Sequence, residues 1–98
     1  MNSTDWAAAT NSEIFREYVS SELKKEAFSK KSAEEELDAD ISLLQDLEGF
    51  ERKVNASPRL KKAFKKLQHA FTNDPEYTAK VDPKFVESVM LINLEEQE

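Results

Sequence analysis

The chain predicts an all-α fold, a small bundle of four main helices with short connections. Three observations carry that reading. Apolar residues recur at helical spacing through most of the 98 residues. Helix-start signals precede those runs, three of them with a proline directly after the capping residue: Ser57-Pro58, Asp74-Pro75 and Asp82-Pro83. A single glycine and three prolines leave too few breaks for many strands joined by turns. The spacing places the helices at about 11–29, 33–54, 58–72 and 83–95, with a short helical turn near 75–80.

Residues 1–10 read as an N-terminal arm, either loose or carrying one helical turn capped by Ser3 or Thr4. Trp6 is its notable side chain, docked on the bundle or offered to a partner as an aromatic anchor. Residues 11–98 fit one helical domain. Thr10-Asn11-Ser12-Glu13 matches a capping box, a hydroxyl followed three residues later by glutamate. It opens the first helix, with Ile14, Phe15, Tyr18, Val19 and Leu23 on one face.

Ser32-Ala33-Glu34-Glu35 is a second capping box and opens the longest predicted helix. Its apolar residues form two stripes, Leu37, Ile41, Leu44 and Leu43, Leu47, Phe50, Val54. An apolar arc that wide requires two neighbours, so this helix is expected at the centre. Gly49 lies inside it, costing ~1 kcal/mol relative to alanine and marking a kink, a close approach or an earlier end.

The third helix buries Leu60, Phe64, Leu67 and Phe71 and turns lysines to the other side. The fourth is expected to bury Phe85, Val86, Val89, Met90 and Ile92, leaving Leu91 and Leu94 pointing away. The two Asp-Pro starts resemble the aspartate-proline helices of co-chaperone domains, and no function is carried over from that segment.

Charge is divided along the chain. Ser32 to Glu51 holds eight acidic residues and no basic one; Arg52 to Phe71 holds seven basic residues and no acidic one. An antiparallel hairpin with oppositely charged arms follows. Exposed ion pairs would contribute only ~0–1 kcal/mol each. Yet Arg59, Lys61 and Lys62 occupy a first turn, where the positive end of the helix dipole disfavours cations. That placement points to a use for the charge beyond helix stability.

Chemistry narrows the function classes. The lone histidine, His69, lies on a polar face, and nothing in the sequence supplies a second histidine, a nucleophile elbow or a glycine-rich phosphate loop. Asp38-Ala39-Asp40 lacks the rest of a calcium loop. No enzyme, cofactor or metal site is expected. Cysteine is absent, no run approaches the ~20 apolar residues of a membrane span, and Met1 to Thr10 does not read as a secretory signal. A cytoplasmic or nuclear address is expected.

The sequence favours a non-catalytic protein–protein interaction module, an adaptor, regulatory or assembly subunit. Its expected contact residues are Arg59, Lys61, Lys62, Lys65 and Lys66 on the basic helix, Leu91 and Leu94 on the last helix, and Trp6. Leu91 and Leu94 would serve a partner's groove or a homodimer. The runner-up is a nucleic-acid-binding protein using the basic third helix, weakened by a net charge of −6 and by the absence of aromatics among the lysines. A lesser alternative is an acidic inhibitor that imitates nucleic acid through Glu34 to Glu51.

Overall fold

The computed structural model describes residues 3–29 and 41–95. They form an all-α bundle, and no strand occurs among them. The elements are α1 (Ser3–Ala9), α2 (Glu13–Ser29), a 3-10 turn (Leu43–Gln45), α3 (Leu47–Ala56), α4 (Pro58–Asn73), α5 (Pro75–Ala79) and α6 (Pro83–Leu91).

Of the two alternatives for the N-terminal segment the helical one holds, over Ser3–Ala9, with Ser3 and Thr4 inside the helix. Thr10 closes it, its N–H donating to the Trp6 carbonyl at 2.9 Å and its hydroxyl to the Ala7 carbonyl at 3.2 Å. Ser12, not Thr10, then caps α2, accepting the Phe15 N–H on its hydroxyl at 3.5 Å. Phe15, Val19 and Leu23 are buried along α2, as the spacing predicts. Ile14 is not; at 48% exposure it faces solvent.

The long central helix predicted over 33–54 is corrected. Residues 33–40, with the capping box at Ser32 and the acidic block Glu34 to Asp40, lie outside the described residues. Beyond them the chain makes a 3-10 turn and passes through an extended Asp46 (φ −128°, ψ 102°) before α3 begins. The Asp46 carbonyl accepts the first α3 bond, from the Phe50 N–H. Aspartate favours such a boundary over a helix interior, and its charge suits the positive helix pole. Gly49 completes the break. A Cβ there would stand 2.6 Å from Asp46 Oδ2 and 3.3 Å from Leu43 Cδ2. Both atoms end side chains that can turn aside, so the space at Gly49 is filled by its neighbours' side chains and not by backbone.

The joints at the prolines follow the sequence closely. Ser57 is extended and its hydroxyl accepts the Leu60 N–H at 3.3 Å, with Pro58 at the first helical position. Asp74 accepts the Tyr77 N–H at 3.1 Å, and Asp82 the Lys84 N–H at 2.8 Å. The last helix is shorter than expected. It ends at Leu91, and Ile92 is already extended (φ −75°, ψ 129°).

α3 and α4 pack as neighbours, α6 packs on α1, α2 and α4, and α1 also meets the 3-10 turn. Their shared core is a chain of aromatic rings. Trp6 meets Phe15 edge-on at 5.6 Å between centroids, and Phe50 at 5.8 Å. Phe50 meets Phe64 at 6.0 Å, Phe64 meets Tyr18 at 5.7 Å, and Tyr18 meets Phe85 at 5.7 Å. Phe85 reaches Phe71, which stacks on Tyr77. Each such pair adds about 0.5–1.5 kcal/mol beyond its area burial. Residues from six helices thus lock one another in place, which fixes the helix faces left for other work.

Candidate partner-binding site

The basic residues of α4 do not form one surface. Lys61 is buried, 6% exposed, on the same side of the helix as Leu60, Phe64 and Phe71. Its long aliphatic stem suits that position. Its expected role as an exposed contact is corrected accordingly.

Lys65 lies on one flank of α4, beside Gln68, His69, Thr72, Asn73 and Met90, around a shallow depression. Arg59, Lys62 and Lys66 lie on the other flank and border a groove between α4 and α2. From α2 that groove receives Tyr18, Glu22 and Lys25; Ala63 and Leu67 complete its lining. The lining therefore holds four cations and one carboxylate.

Glu22 and Lys25 pair at 3.3 Å, one turn apart on α2. Among the described residues Arg59, Lys62 and Lys66 form no ion pair, and the acidic block Glu34 to Asp40 of the expected charge-paired hairpin lies outside them. All three are exposed. Cations on neighbouring helix turns repel one another, and an incoming anion relieves that repulsion. Tyr18 gives the groove a half-buried ring with a neutral hydroxyl. Its pKa is pushed up to about 12, first by burial and then by the Glu22 carboxylate and Tyr77.

The α2 contribution to this groove was missed in the sequence. No local pattern marks Glu22 or Lys25, and none indicates which flank of α4 meets α2. Packing decides it, through Tyr18 against Phe64.

The remaining expected contacts are placed differently. Trp6 is fully buried, so its ring belongs to the core and is not offered to a partner. Its Nε1–H has no hydrogen-bond acceptor among the described residues. Leu91 and Leu94 are partly buried and pack against the core, while Met90, expected inside, is 43% exposed. Ser88 explains the rotation. It is fully buried, with its hydroxyl donating to the Lys84 carbonyl at 2.7 Å, so it belongs to the inward arc with Phe85 and Val89. That arc brings Leu91 to its edge and leaves Met90 outside.

Among the described residues no group of three or more His, Asp or Glu side chains is arranged to hold a metal ion. No helix there is long and apolar enough to cross a membrane. Compared with known proteins, the chain matches no family model, no curated protein and no solved structure.

Proposed function

We propose that the protein is a non-catalytic interaction module that binds an acidic protein segment in the groove between α2 and α4. The observation that carries this reading is that Lys25, Arg59, Lys62 and Lys66, against the one carboxylate of Glu22, line a single groove with Tyr18, Ala63 and Leu67. Cations at the rim steer an acidic partner, and the apolar lining receives the aliphatic side chains between its acids. An amphipathic acidic helix has that composition. A nucleic-acid backbone would use the cations and leave the apolar lining unused, and the described surface offers no row of aromatic rings for bases.

The test is titration of the intact protein with a synthetic helix carrying glutamates and leucines at helical spacing. Binding should weaken as salt rises. Arg59→Gln, Lys62→Gln and Lys66→Gln together should abolish it with the helical circular dichroism spectrum unchanged. A triple variant that binds as well as the wild type would overturn the site. A shift of duplex DNA or RNA that is lost in the same variant would replace the acidic partner with nucleic acid.

A further inference from the structure

Beyond α6 the chain runs extended, and polar side chains from two other helices hold it by its backbone. The Glu51 carboxylate accepts the Asn93 N–H at 2.7 Å. The Asn55 carboxamide is used at both ends: Nδ2 donates to the Asn93 carbonyl at 3.0 Å, and Oδ1 accepts the Glu95 N–H at 2.8 Å. Gln68 Nε2 donates to the carbonyls of Val89 and Ile92, at 2.9 and 2.7 Å.

These contacts divide into two tasks. Gln68 ties the end of α6, adding a second donor to the Val89 carbonyl, which already accepts the Ile92 N–H, and a bond to the Ile92 carbonyl. Glu51 and Asn55 act farther on. They engage the N–H and C=O of Asn93 and the N–H of Glu95, the successive groups that one edge of a strand presents. Side chains of the segment alternate accordingly. Ile92 is buried and Leu94 packs against the core, whereas Asn93 and Glu95 are exposed.

None of the bonds from Glu51 and Asn55 reads a side chain of the segment. An extended peptide with aliphatic residues two positions apart would present the same groups to α3. The bonds also lie at the surface, where each contributes little net free energy and can be replaced in kind. We propose that Glu51 and Asn55 of α3, with Gln68 of α4, form a peptide-binding site. Its ligand is an extended aliphatic-x-aliphatic segment of a partner protein, and Ile92–Glu95 is the resident stand-in. This is the strand-edge mode of peptide recognition, with two helix side chains in place of the sheet edge. The site is separate from the groove between α2 and α4 and does not depend on it.

The test loosens the resident segment in the full chain. Asn93→Pro with Glu95→Pro removes both donated N–H groups and keeps Ile92 and Leu94. The probe is an acetylated synthetic peptide of residues 91–97, followed by titration calorimetry. The double-proline chain should bind it at least about tenfold more tightly than the wild type, whose own tail competes at high effective concentration. Adding Asn55→Ala should remove that binding, as should methylating the two peptide nitrogens that donate. Equal affinity for wild-type and double-proline chains would overturn the proposal, and so would undiminished binding of the methylated peptide. Loss of the helical spectrum in the double-proline chain would also overturn it, by making the tail part of the fold. A wild-type dimer that disappears with the proline substitutions would identify the occupant as a second copy and overturn the partner assignment.

Discussion

Ser12 and Asp82, 70 positions apart, cap two different helices and are bonded to each other, the serine hydroxyl donating to the aspartate carboxylate at 3.3 Å. Ser12 Oγ also accepts the Phe15 N–H, and Asp82 Oδ1 accepts the Lys84 N–H. The starts of α2 and α6 are therefore pinned side by side. Phe15 and Phe85, 6.0 Å apart between ring centroids, lie just inside that pin.

The first prediction concerns this pair. Asp82→Ala should cost about 1–2 kcal/mol in urea denaturation, because a cap and an inter-helix acceptor are lost together. Ser12→Ala should cost about 1 kcal/mol. The double variant should cost less than the sum, since each single change already breaks the shared bond. Strict additivity would show that the two caps act independently.

Trp6 supplies a second prediction. Its ring touches Phe15 and Phe50 and is fully buried, so Trp6→Ala should cost about 3–5 kcal/mol, as large core truncations do. Trp6 is the sole tryptophan. Its fluorescence should be blue-shifted in the native protein and move to the red on unfolding. Emission typical of a water-exposed indole in the native state would return Trp6 to the list of partner contacts.

Sequence reasoning reached the helices wherever a local signal decides them. The Ser57-Pro58, Asp74-Pro75 and Asp82-Pro83 starts are all used as caps, because a side-chain oxygen and a missing N–H act within one turn. It failed where distant residues decide. The end of α6 and the extended segment after it are held by Gln68, Asn55 and Glu51, which lie at least 21 positions from the atoms they hold. The break at Asp46 was legible only as an odd glycine, three positions after the residue where the helix begins. For the site, the composition of α4 identified the charge. The α2 partners that turn three of its cations into the rim of a groove emerged from packing alone.

Tyr18 provides a pH-dependent signature of that groove. Its pKa moves from 10.0 to about 12, with burial as the first cause and the Glu22 carboxylate as the second. The folded state thus holds the phenolic proton more tightly than the unfolded chain. This contribution to stability is full below pH about 10 and is lost as pH rises through about 12. In a Tyr77→Phe variant, phenolate absorbance should report Tyr18 alone, with a midpoint well above 10 in the native protein and near 10 in denaturant. A native midpoint at the unfolded value would mean that the ring is not desolvated between α2 and α4.

The C-terminal leucines give the last prediction, which rests on where the inward arc of α6 lies. The arc passes through Phe85, Ser88 and Val89, so Leu91 sits at its edge and Met90 outside it. Past the helix end the period changes from helical to alternating, which turns Ile92 and then Leu94 inward. Leu91→Ser with Leu94→Ser should therefore cost about 2–4 kcal/mol in chemical denaturation, through lost burial and unpaired hydroxyls at a packed edge. Met90→Ser should change stability by no more than about 0.5 kcal/mol, because its side chain already meets solvent. The two measurements have opposite expectations under the two helix rotations. A costly Met90→Ser beside a neutral leucine pair would place the inward arc on the Met90 side. It would also free Leu91 and Leu94 as a contact surface.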